Sequence, residues 1–163
     1  MRPCVFIHTN ERQWLGALVS QHSLRRHSPR AADFDVRILH TREHPFLAAR
    51  EGRLYLRDGA TRPWHMHDLQ SFTPLRFQPP AEMGYHGRAL VVDPDVFAVA
   101  DVWPQLERDM QGKAILCRTR SGSKGRAGVF ASSVMLLDCA RLSHWHCEEQ
   151  FGELFELRRD YTD

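Results

Sequence analysis

The sequence predicts an α/β domain: a mostly parallel sheet flanked by helices, with one hairpin insertion. Two observations carry this. The first forty residues read strand, helix, strand, and a crossover of that length favours a parallel βαβ unit. Later, Leu90-Val91-Val92, Ala114-Ile115-Leu116-Cys117 and Val134-Met135-Leu136-Leu137 are short apolar runs, as expected of buried strands. The 163 residues are read as one domain spanning 1–163, long enough to bury a single core.

Each element has its own signal. Cys4-Val5-Phe6-Ile7 is an apolar run ending in polar Thr9-Asn10, a buried strand. From Arg12 to Arg26 the spacing becomes helical, and Trp14, Leu15, Leu18, Val19 and His22 form the face expected to enter the core. Ser28-Pro29 ends that helix. Phe34 to Leu39 alternates as a second strand. Arg53 to Arg57 alternates and stops at Asp58-Gly59, a hairpin signal, with Thr61 to His67 as the return strand. Asp68 to Phe77 is expected as a short helix before Pro79-Pro80. Gly87 to Val92 is a buried strand that breaks at Asp93-Pro94-Asp95, and Val96 to Val99 is expected to continue as strand. Val102 to Met110 reads as a helix, Ala114 to Cys117 as a strand and Ser121 to Gly128 as a mobile loop. Ser133 to Leu137 is the last strand. Leu142 to Tyr161 has helical spacing through Trp145, Phe151, Leu154, Phe155 and Leu157.

Composition removes several classes. Apolar residues make up 42% and charged residues 26%, which excludes a disordered chain. A net charge of +2 gives no reason to expect nucleic acid. The basic loop Arg118, Arg120, Lys124 and Arg126 has no interleaved aromatics to change that. No apolar run reaches the roughly 18–20 residues of a spanning helix, and the N-terminal run is too short for a secretory signal. A cytoplasmic protein with reduced thiols is expected, since no pair among the four cysteines has close metal spacing. His65-Met66-His67-Asp68 and His144-Trp145-His146-Cys147 do not form zinc sites on this reading; near a helix start, residues two apart diverge.

The segment richest in chemistry is Leu90-Val91-Val92-Asp93-Pro94-Asp95. In open α/β sheets ligands bind beyond the carboxyl ends of the strands. Two carboxylates placed there can hold Mg²⁺ or Mn²⁺ against a diphosphate. Asp-Pro also simply starts turns, and Asp33-Phe34-Asp35 has the same spacing without any sign of a site.

Several segments, in consistent order, resemble the GT-A nucleotide-sugar glycosyltransferases, nearest the glycogenin and lipopolysaccharide galactosyltransferase family. Ile7-His8-Thr9-Asn10, a helix and Val36-Arg37-Ile38-Leu39 resemble its opening βαβ unit. Thr73-Pro74-Leu75-Arg76-Phe77 resembles the segment that carries an arginine before the acidic motif. Gly87 to Asp95 resembles its strand plus Asp-X-Asp. Ser132-Ser133-Val134-Met135-Leu136-Leu137-Asp138 resembles the next strand, and Trp145 the tryptophan after it. Two departures stand out. Ser132-Ser133-Val134 occupies the place of an Asn-Ala-Gly-like turn. The later family segment, with a metal-binding histidine and a basic diphosphate grip, has no counterpart in these 163 residues.

The resemblance implies a Rossmann-like GT-A fold that is C-terminally truncated, the donor-binding part of a longer architecture. It implies a hexosyltransferase-type activity that moves a sugar from a nucleotide-diphosphate sugar to an unknown acceptor with Mn²⁺ or Mg²⁺. Asp95 would bind the metal, and Asp93 the metal and the ribose. His8, Thr9 and Asn10 would line the base and ribose pocket, and Arg76 would face the diphosphate. No residue reads as a catalytic nucleophile or general base. The alternative is a non-catalytic nucleotide-sugar-binding fragment or subunit, which would associate with itself or a partner through the C-terminal helix face.

Overall fold

The computed structural model describes residues 1–120 and 129–162. In chain order the elements are β1 (Cys4–Thr9), α1 (Trp14–Arg26), β2 (Asp35–His40), α2 (Pro45–Ala48), β3 (Leu54–Arg57), β4 (Ala60–Pro63), α3 (Pro79–Glu82), β5 (Arg88–Val92), α4 (Trp103–Leu106), β6 (Ile115–Arg120), β7 (Val129–Asp138) and α5 (Cys147–Phe155). The main sheet has five strands in the order β2-β1-β5-β7-β6. β1 is parallel to both β2 and β5; β7 is antiparallel to β5, and β6 to β7. All strands of this sheet but β7 therefore run the same way.

Strand periodicity sorts the core into two layers. Cys4, Phe6, Ala89 and Val91 face a layer shared with Tyr55, Trp64, Leu75, Phe151 and Phe155. Val5, Ile7, Leu90 and Val92 face the layer shared with α1 and α4. Both faces of β1 and β5 are covered, which is why these strands read as continuous apolar runs. The predicted βαβ unit and hairpin are present. Asp58 (φ 54°) and Gly59 (φ 72°) turn the hairpin with two left-handed residues, as a two-residue type I′ turn requires.

α1 presents a different face from the one expected. Ala17, Ser20, Ser23 and Leu24 are buried, while Leu15, Leu18 and Val19 are exposed. The cause is the partner. Residues 94–98 lie along α1 as irregular backbone, and backbone needs small residues and hydroxyls rather than apolar bulk. Ser20 Oγ donates to the Val96 carbonyl at 2.7 Å, and Ala98 N donates to Ser23 Oγ at 2.9 Å. This also corrects the strand expected at Val96–Val99: its backbone bonds to helix side chains, not to a ladder.

Other boundaries shift for local reasons. The return strand ends at Pro63, with one further backbone pair in which Trp64 N donates to the Arg53 carbonyl at 2.9 Å. The helix expected from Asp68 contracts to a 3-10 turn at Thr73–Phe77. The expected Leu142–Tyr161 helix is confined to α5, after a 3-10 turn at Cys139–Leu142. Past α5, Leu157 takes φ 57°, and Tyr161 N then donates to the Leu56 carbonyl at 3.0 Å. The stripe Phe151, Leu154 and Phe155 is buried, with Phe151 and Phe155 packed on the hairpin's aromatics. The loop expected at Ser121–Gly128 lies outside the described residues. All four cysteines are free. No helix among the described residues is long and apolar enough to cross a membrane.

Candidate functional site

The two central parallel strands end side by side, and the candidate residues gather there. β5 ends at Val92, and Asp93 N still reaches across to the Ser133 carbonyl at 2.9 Å. The chain then turns: Val96 N donates to the Asp93 carbonyl at 3.1 Å, with Pro94 and Asp95 at the two turn positions. Proline pre-sets the first of these. Asp93 is thus held at the strand end, while Asp95 is exposed on the turn. The turn rests on α1 at Gly16, where an added Cβ would sit 2.8 Å from the Pro94 carbonyl oxygen. Only glycine lets this helix approach so closely.

Asp93 is the hub. Arg76 Nη2 donates to its Oδ1 at 2.6 Å, and the two side chains are only 15% and 18% exposed. His8 Nε2 lies 2.9 Å from the same oxygen. That approach is a close polar contact rather than an aligned hydrogen bond, and Nδ1 of His8 has no partner among the described residues. Phe72 packs on the imidazole with ring centres 5.2 Å apart. Burial is the main force holding His8 below its ordinary pKa, and the Arg76 charge adds to it. Burial pushes the Asp93 carboxyl up, but His8 and Arg76 more than offset this and hold it below the usual range. The centre is therefore a neutral imidazole beside a carboxylate–guanidinium pair.

Thr9 and Asn10 are also buried. Thr9 Oγ1 donates to the Asn10 carbonyl at 3.3 Å. Asn10 uses its whole side chain on the protein. Its Nδ2 donates to the carbonyls of Asp68 and Leu69 at 2.9 and 3.3 Å and to Ser71 Oγ at 2.9 Å. Its Oδ1 caps the following turn by accepting from Gln13 N at 3.1 Å. Asn10 thus clamps the loop that leads to Phe72 and Arg76. The 3-10 turn carrying Arg76 is fixed from behind: Cys147 Sγ donates to the Pro74 carbonyl at 3.2 Å, and Trp145 packs on Phe77 at 4.8 Å.

Sequence reasoning left Phe72 and Ser133 out of the site. The regular β5–β7 register, in which Val92 pairs with Val134, places Ser133 beside Asp93. On the other side of β7, Cys117 pairs with Met135, yet Arg118 pairs with Ala131, so residues 132–134 bulge out of the β6 ladder, while Val134 and the Ser133 carbonyl stay bonded to the β5 side. Of the histidine clusters, His65 Nδ1 is 2.9 Å from Glu51 Oε1. Among the described residues no group of three or more His, Cys, Asp or Glu could hold a metal. Asp93 and Asp95 alone still suit a hard cation, which commonly takes one or two carboxylates and draws its other oxygens from substrate phosphate and water. The Asp93 carboxylate and the exposed Asp95 meet that donor chemistry.

The pKa shifts predict acid sensitivity. Burial holds His8, His40 and His44 below the ordinary histidine value. The unfolded chain therefore takes up protons first, and stability falls as pH drops below about 6.5. Asp93 contributes a second loss below the ordinary carboxylate value of about 4. Thermal midpoints between pH 7.5 and 4.5 should decline steadily; a flat profile would show that these histidines do not stay neutral when folded.

No protein-family model and no curated protein sequence matches the chain. Solved structures do. The glycosyltransferase GlyE of Streptococcus pneumoniae TIGR4, in its apo form, superposes with TM-score 0.58 at 18% identity, covering 96% of this chain and 38% of GlyE. The galactosyltransferase LgtC, solved in complex with donor and acceptor sugar analogs, gives TM-score 0.60 at 15% identity, covering 96% of this chain and 64% of LgtC. An active-site mutant of LgtC, Q189E, gives 0.61 at 13% identity over 97% of this chain and 65% of LgtC. The chain spans less than two thirds of the length of these proteins. Over that span it has the fold of the GT-A glycosyltransferases.

Proposed function

We propose that the chain is the donor-binding part of a metal-dependent glycosyltransferase, taking a nucleotide-diphosphate sugar and passing the sugar to an acceptor. The observation that carries this reading is the Asp93-Pro94-Asp95 turn at the end of β5, on a sheet whose fold is that of glycosyltransferases. A divalent cation bound there would offset charge on the departing diphosphate. The carboxylates of Asp95 and Asp93 would hold it. Arg76 would lend its guanidinium to phosphate oxygens, which its fork geometry suits. His8, whose Nε2 lies 2.9 Å from the same oxygen that Arg76 binds, would help to position Asp93. Base and ribose would lie at the ends of β1 and β5.

The test is ligand-induced thermal stabilisation with a panel of nucleotide-diphosphate sugars, each with Mn²⁺ or Mg²⁺. At about 100 times Kd a donor adds about 2.7 kcal/mol, which raises the midpoint by roughly 5–10 °C in a domain of this size. Asp95→Asn changes an exposed side chain, so it should keep the parent fold and lose the metal-dependent part of that rise. A variant that responds like its parent would remove Asp95 from the site. Donor hydrolysis on the same samples separates a transferase from a binding module without turnover.

A further inference from the structure

Arg76 sits where a cation would have to arrive. Its Nη2 is 2.6 Å from Asp93 Oδ1, in a pair shielded from water. Its Nε is buried without a partner among the described residues, so the guanidinium retains donor capacity that this arrangement leaves unused. The Asp93–Arg76 pair is neutral as a unit. Asp95, exposed on the turn, has no ion-pair partner among the described residues. A divalent ion approaching this turn meets one exposed carboxylate and, within hydrogen-bonding distance of the other, a fixed positive charge. At such separations like charges repel strongly unless water intervenes, and here burial limits the screening.

We propose that Arg76 is a resident counter-cation that competes with the divalent metal for Asp93, and that it is handed from Asp93 to the donor's diphosphate when metal and donor bind together. The exchange rests on the metal-dependent reading above. Its consequence is order: metal alone binds weakly, because taking Asp93 leaves a buried guanidinium unpaired, a costly state. A diphosphate arriving with the metal gives that guanidinium a new anionic partner. Metal and donor thereby favour each other, and couplings of this kind are typically about 5–150-fold. The acidic turn stays closed to free metal until a donor is present.

The test uses Mn²⁺ alone, titrated into the full chain, with free Mn²⁺ read by electron paramagnetic resonance. Arg76→Gln removes the charge and should bind Mn²⁺ about tenfold more tightly than the parent. Arg76→Lys keeps the charge and should stay near the parent; it also remains informative should the glutamine variant fail to fold, since a tenfold gain in the lysine variant contradicts competition by charge. Equal affinity in parent and Arg76→Gln, or weaker binding in Arg76→Gln, overturns the exchange and leaves the metal reading intact. Mn²⁺ binding that survives Asp93→Asn and Asp95→Asn together, or no binding to any variant at millimolar Mn²⁺, overturns the metal reading as well.

Discussion

Replacing Asn10 by alanine should lower stability by about 2–4 kcal/mol, from a lost cap and a buried polar group left without its partner. The side chain does two jobs at once. Its oxygen caps the turn that begins α1, and its amide ties β1 to the loop at Asp68–Ser71. Ser71 is itself buried and donates to the Met66 carbonyl, so it cannot turn to water when Asn10 goes. The carbonyls of Asp68 and Leu69 belong to exposed residues and can be rehydrated, which keeps the total below the sum of all lost bonds. Urea unfolding measures the loss. Asn10→Ser keeps an oxygen for the cap but cannot span to the loop, so it should recover only about 1 kcal/mol. The same clamp positions Phe72 against His8 and the turn carrying Arg76, so the donor-induced rise should shrink along with stability. A variant with parental stability but no donor response would instead place the Asn10 side chain against the ligand.

Sequence patterning carried the strands well and the helix faces poorly, and the difference has a physical cause. β1 and β5 are covered on both sides, so their apolar runs state their burial directly. The hairpin was legible because only a few residue pairs tolerate two left-handed positions, and Asp58-Gly59 is one. α1 was misread because hydrophobic periodicity assumes an apolar partner. Here part of the partner is backbone, and Gly16, Ser20 and Ser23 suit it better than Leu15, Leu18 and Val19. In the site, the sequence named Asp93, Asp95, His8 and Arg76 but not the pairing of Arg76 and His8 with Asp93. That pairing depends on the 3-10 turn at Thr73–Phe77, which is placed by contacts with Cys147 and Trp145, about seventy residues away. Ser133 reaches Asp93 because β7 continues its antiparallel pairing one residue beyond the end of β5, a cross-strand register that no local pattern announces.

Trp64→Ala should cost about 3–5 kcal/mol, the usual loss for deleting a large buried aromatic ring. Trp64 is 3% exposed. Its ring meets Phe151 at 4.9 Å and Tyr55 at 5.7 Å in edge-on geometry, which favours aromatic pairs. The location adds to the effect. The hairpin of β3 and β4 has only two strands, and β4 is exposed along its length. Such a ribbon is marginal alone, so Trp64 and Tyr55 are what dock it to α5. Its turn is also held by the Asp160 carboxylate, which accepts from the backbone N of Asp58 and Gly59 at 2.9 and 2.8 Å. Loss of Trp64 should therefore release the hairpin before the main sheet. Hydrogen exchange can separate the two: amides of β3 and β4 should lose protection first, while those of β1 and β5 keep it. Trp64→Phe is the folded control. The indole Nε1 has no partner among the described residues, so this change removes volume without orphaning a hydrogen bond. It should cost well under half as much and leave the donor response at Asp93 and Asp95 intact. Equal loss of protection in the hairpin and the main sheet would mean that the aromatic layer and the site fold as one unit, and the hairpin would then have to be counted among the elements that position Arg76.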